Sequence, residues 1–114
     1  MDWNYLFTSF EGRINRQPFW IATVILWVIS WVVSGIGYGI FGQNVGAAIS
    51  GIVALILIYP SLAVGVKRWH DRGKSGWWIL ILLVPIVGAL WYLIECGFLR
   101  GTDGANRYGA DPLA

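Results

Sequence analysis

Three long apolar stretches, at residues 18–41, 45–66 and 77–98, constrain this chain more than any other feature of it. Glu95 is the one charged side chain within them. At a rise of 1.5 Å per residue each would extend about 33–36 Å as an α-helix, enough to cross a hydrocarbon layer about 30 Å thick. Hydrocarbon offers a backbone no hydrogen bonds, so each stretch must pair its own amides as a helix. Buried helices of a soluble bundle would each keep a polar face, and these have none. The expected fold class is therefore an all-α membrane protein with about three transmembrane helices, in a single domain over 1–114.

The charge content agrees. Only 12% of the 114 residues are charged and 57% are hydrophobic, whereas a soluble domain carries about 25% charged residues to clothe its surface. No basic stripe is long enough to follow a nucleic-acid backbone, which sets that partner class aside. Cys96 is the sole cysteine and His70 the sole histidine, so no disulfide, metal site or cofactor is expected. Residues 1–17 mix Asp2 and Glu11 with Arg13 and Arg16, unlike a cleaved leader.

Within 1–17, Trp3, Leu6, Phe7 and Phe10 fall on one face of a short helix, read as an interfacial segment at the headgroups. Pro18 suits the first turn of the first span. Gly39, Gly42, Gln43 and Asn44 make an uncharged turn, residues 67–76 a basic loop and 99–114 a polar tail. Pro60 is expected to kink the second span. With the amino terminus in the cytoplasm, Arg13, Arg16, Lys67, Arg68, Arg72 and Lys74 lie inside and Arg100 and Arg107 outside, which favours N-in and C-out. The rival arrangement breaks 77–98 at Pro85 and Gly88 into a re-entrant hairpin and returns the tail, with all eight cations, to the cytoplasm.

Gly73-Lys74-Ser75 resembles the end of a phosphate-binding loop, but Arg68 stands where that motif needs its first glycine, and no strand precedes it. His70 beside Asp71 hints at an acid–base pair, yet no nucleophile motif accompanies it. The interaction candidates are therefore electrostatic: Arg13, Arg16, Lys67, Arg68, His70, Asp71, Arg72 and Lys74, facing lipid headgroups that include anionic ones. Asp71 is expected to pair with Arg13 or Arg16, or else with the cations of its own loop. Glu95 is expected to snorkel or pair with Arg100. Helix packing falls to Trp27 and Trp31 and to the small-residue ladder Gly42, Gly46, Ser50 and Ala54.

Phe10-Glu11-Gly12-Arg13-Ile14-Asn15-Arg16 with Phe19-Trp20, then Ser61 to Arg68 with His70-Asp71 and Gly73 to Trp78, then Gly104 to Pro112, form three ordered motifs. Together they resemble the bacterial inner-membrane proteins grouped as domain of unknown function 805. That resemblance implies residence in a bacterial inner membrane and brings no activity. The function expected is noncatalytic, acting by packing against lipid, against a second copy or against a membrane partner. A subunit of an oligomeric channel or transporter, using Glu95 and the His70–Asp71 loop, is the alternative, and an enzyme acting on lipid headgroups the third.

Overall fold

Asp2 accepts a hydrogen bond from the Tyr5 amide at 3.1 Å and caps α1, Trp3–Thr8. The computed structural model describes residues 2–113, and every regular element among them is helical. One helical run, α2, Arg16–Asp71, holds both of the first two apolar stretches. It breaks at Gly42, whose φ of 82° and ψ of −178° lie in a region open in practice to glycine alone. The chain reverses there: a Cβ on Gly46 would lie 2.7 Å from the Tyr38 Cα, and one on Gly37 would touch Ile49 at 3.4 Å. The two arms, 16–41 and 43–71, thus form an antiparallel hairpin, about 39 and 43 Å long.

The break falls at Gly42, while the backbone around Pro60 keeps helical dihedrals. The packing ladder is also only partly realised. Gly46 is buried at the arm–arm contact, but Gly42 is the turn, Ala54 is exposed and Ser50 lies half-buried with its hydroxyl unpartnered. Trp27 and Trp31 stack on each other at 6.3 Å; Trp31 is 70% exposed, whereas Trp27 lines a cleft beside Leu62 and Val64 of the second arm.

The third stretch is not one helix. Residues Gly76–Leu83 form a 3-10 helix and Val87–Gly97 form α3. Between them the Val87 amide donates to the Pro85 carbonyl at 2.7 Å across Ile86, whose φ is 66° and ψ −65°. That is a γ-turn of the strained, positive-φ kind. Each leg is about 16 Å long, half a hydrocarbon core. A Cβ on Gly88 would fall 1.7 Å from the Ile81 carbonyl oxygen, so the legs can close only on glycine. A Cβ on Gly65 would meet the side-chain ends of Ile79 at 2.6 Å and Tyr92 at 2.8 Å, so the second arm of α2 packs against both legs.

Because the third stretch turns back, α3 ends beside the start of the first arm, and the tail lies at the same end of the molecule as residues 2–16 and the basic loop. This corrects the expectation that 77–98 carries the tail to the opposite end. The core sits at that charged end, where Leu6, Ile14, Phe19, Ala22, Val64, Trp69 and Cys96 pack together. Away from it the arms present apolar side chains outward, and only 17% of the most apolar window of α2 is buried. In water such a belt would aggregate, whereas lipid solvates it.

Two outcomes follow for stability in detergent, read as thermal unfolding. Gly46→Leu should destabilise strongly, because its new side chain enters the backbone of the first arm, while Ala54→Leu should leave the midpoint nearly unchanged. Ile86→Gly should stabilise by about 1 kcal/mol, since it relieves a strained φ at about 1–3 kcal/mol and adds glycine's chain entropy of about 0.5–1 kcal/mol. A lower midpoint for Ile86→Gly would contradict the turn described.

Candidate functional site

Helix ends leave carbonyls without intrahelical partners, and at the charged end those carbonyls meet buried cations. Lys67 is wholly buried. Its ammonium donates to the carbonyls of Tyr5 at 2.8 Å, Leu6 at 2.9 Å and Ser9, so all three of its N–H groups are used at the C-terminal end of α1. Tyr59 adds a hydrogen bond from its hydroxyl to the Thr8 carbonyl at 2.8 Å, and its ring meets Phe10.

The end of α3 is closed in the same way. Arg68, also wholly buried, donates through Nε to the Cys96 carbonyl at 2.6 Å and through a terminal nitrogen to Leu99. The Trp20 indole N–H takes the Gly97 carbonyl at 2.7 Å, and Arg16 takes that of Phe98 at 2.9 Å. Gly97 admits the Trp20 ring, which a Cβ there would meet at 2.7 Å. Three side chains of α2 thus satisfy four consecutive carbonyls.

Asp71 joins these sets. One carboxylate oxygen accepts from Arg13 at 2.9 and 3.1 Å, and the other accepts from Arg68. Both guanidinium groups and the carboxylate are at most 4% exposed at the side chain. The other hydrogen bonds of Arg13 reach the carbonyls of Thr102 at 2.7 Å, Gly104 at 2.7 Å and Gly109 at 3.2 Å, so every nitrogen of the guanidinium has a partner. Asp71 therefore pairs both with Arg13 and with the arginine of its own segment. Gly101 passes close beside it, where a Cβ would lie 2.0 Å from the carboxylate.

His70 holds the tail from the other side. Its ring stacks on Tyr108 with centroids 4.0 Å apart, its Nδ1 meets the Gly12 carbonyl at 3.0 Å, and its own carbonyl accepts from Asn106 at 2.9 Å.

The segment that resembled a phosphate loop is a pair of caps. Gly73, at φ 79°, donates to the His70 carbonyl at 2.9 Å and Lys74 to that of Trp69 at 3.0 Å, the double bond of a Schellman ending. Ser75 then caps the 3-10 helix through Trp77. Lys74 reaches Glu95 at 2.7 Å and lies 4.6 Å over the Trp78 ring. Glu95 also accepts from the Trp91 indole at 2.9 Å and faces Arg72 at 3.5 Å. Its partners are thus Lys74, Trp91 and Arg72 in place of the expected Arg100, which pairs with Asp103 on the surface.

All eight interaction candidates converge on this end, but Arg13, Lys67, Arg68 and Asp71 are buried and bonded within the chain, which turns them away from a headgroup. The packing set of Trp27, Trp31, Gly42, Gly46, Ser50 and Ala54 lies away from it. Trp20, Tyr59, Gly101 and Asn106 are site residues that sequence reasoning passed over. For Trp20 a signal existed, since an indole close to the charged end of an apolar helix needs an acceptor.

The family model described as "Protein of unknown function (DUF805)" matches residues 7–110. The chain is 31% identical to the inner membrane protein YhaH of Escherichia coli (strain K12), across 98% of this chain and 97% of that protein. It is 34% identical to the inner membrane protein YhaI of the same organism, across 93% and 87% respectively. A third relative, the uncharacterized protein YiiR of that strain, is 33% identical across 90% and 85%. No solved structure matches. With its profile matched from before the Arg13 motif to beyond the Asn106 turn, the chain belongs to the DUF805 family of proteins of unknown function.

Proposed function

We propose that this chain is an inner-membrane protein that works by association with lipid rather than by catalysis. In this reading the arms of α2 cross the bilayer, the 3-10 helix and α3 dip half-way in and return, and the charged end faces the cytoplasm. The observation that carries it is the saturation of that end. Every nitrogen of the Arg13 guanidinium, each N–H of Lys67 and both oxygens of Asp71 have partners inside the chain. Groups held this way fix a structure, and a carboxylate clamped between two arginines is a poor base. Glu95, the polar element a transport path would need, is likewise paired with Lys74 and Arg72.

The orientation rests on charge. All eight Lys and Arg lie at or near the end shared by the termini and the basic loop, and Gly42, Gln43 and Asn44 at the other end are uncharged. Retention of Lys and Arg in the cytoplasm therefore puts both termini inside. The relatives' description as inner membrane proteins supports the location.

Cysteine labelling in intact cells tests the arrangement on a Cys96→Ala background. An impermeant maleimide should label Asn44→Cys and spare Asp103→Cys until the membrane is opened. Labelling of Asp103→Cys in intact cells would separate the tail from the basic loop and overturn the reading.

A further inference from the structure

A groove of about 490 Å³ opens between the end of α1, the second arm of α2 and the 3-10 helix, within the range of about 300–1,000 Å³ usual for ligand sites. Leu62, Val66, Ile79 and Leu80 wall it, with Phe10 and Trp77 at its edges. Its polar side chains, His70 and Ser75, sit at the charged end, while Leu62 and Leu80 lie deeper along their helices. The groove therefore changes from polar to apolar in the same sense as a phospholipid in the surrounding leaflet.

The two polar groups offer complementary, uncharged contacts. A carbonyl can only accept, so the bond from His70 Nδ1 to Gly12 places the hydrogen on Nδ1 and leaves Nε2 as an acceptor in the neutral ring. Nε2 has no hydrogen-bond partner among the described residues and lies at the wall formed by Gly76, 3.4 Å from where a Cβ would stand. Ser75 Oγ accepts from the Trp77 amide at 3.3 Å, which leaves its hydroxyl hydrogen to donate. Lys67 and Arg68 are meanwhile turned inward on carbonyls and a carboxylate.

We propose that this groove holds one acyl chain of a membrane phospholipid, with Ser75 donating to an ester carbonyl and His70 Nε2 accepting from a headgroup O–H or N–H. The proposal deepens the lipid-associating reading above and rests on it. Lipid tails are as apolar as leucine, so the walls gain nothing by hydrophobic transfer; shape and the polar pair must retain the lipid. Binding should accordingly depend little on lipid charge or on salt.

The test uses the full chain in vesicles of phosphatidylethanolamine and phosphatidylglycerol, with a trace of phospholipid carrying a diazirine in its acyl chain. After illumination, adducts mapped by mass spectrometry should concentrate several-fold on residues 62–66 and 79–80. Val24 and Val28, exposed at a matching level of the first arm, provide the comparison. Leu80→Trp should fill the groove and bring its labelling down to that of Val24 and Val28. Ser75→Ala with His70→Phe should lower groove labelling several-fold while leaving the first arm unchanged. Equal labelling of groove and first arm, or indifference to Leu80→Trp, would overturn the groove. Cysteine labelling of Asn44→Cys and Asp103→Cys reads the two-span arrangement separately, so the two failures are distinguishable.

Discussion

A carboxylate buried between two arginines cannot stand in a dry environment unless almost every donor and acceptor around it is used, because desolvation costs each ion several kcal/mol. Asp71 meets that condition by taking Arg13 on one oxygen and Arg68 on the other. The donors left over on the two arginines then decide what else must be present. Those of Arg13 call in the tail through Thr102, Gly104 and Gly109, and those of Arg68 call in the end of α3 through Cys96 and Leu99. One acid thereby organises the opening segment, α2, α3 and the tail.

Other features follow from bringing α3 home. Its C-terminus can reach Arg68 and Trp20 only if the third apolar stretch reverses, so the strain at Ile86 is held in place by the bonds at the far ends of the hairpin. The same demand for close approach selects glycine at 88, 97 and 101, where a Cβ would fall 1.7–2.7 Å from a neighbouring atom. Lys67 solves its burial differently. It uses the negative end of α1 in place of a carboxylate, three carbonyls standing where an acid would otherwise be required.

The helical class was legible because bilayer thickness and backbone hydrogen bonding leave few alternatives for uncharged runs of this length. The course of 77–98 was legible only as a choice, since Pro85 and Gly88 are compatible with either a span or a hairpin. Gly42 carried two readings, as part of the uncharged turn and as the first rung of a packing ladder with Gly46, Ser50 and Ala54, and its positive φ makes it the turn. The Arg13–Asp71 link could be anticipated from the scarcity of acids beside the loop. The burial of Lys67 and Arg68 could not, because apart from Asp71 beside Arg68 their partners are backbone carbonyls, which every residue carries and no sequence pattern marks. Glu95 was assigned by sequence proximity to Arg100, but the hairpin brings it to Lys74 instead.

The coupling between Arg13 and Asp71 is the quantity on which this organisation depends. It can be measured as a double-mutant cycle of Arg13→Gln and Asp71→Asn, by unfolding in detergent micelles. Each single change should cost about 3–5 kcal/mol, because it strands a buried charge. The double variant should fall short of the sum by about 1–3 kcal/mol, as expected for groups in direct contact. Additivity within about 0.5 kcal/mol would mean that the two side chains act independently, and would contradict the network centred on Asp71.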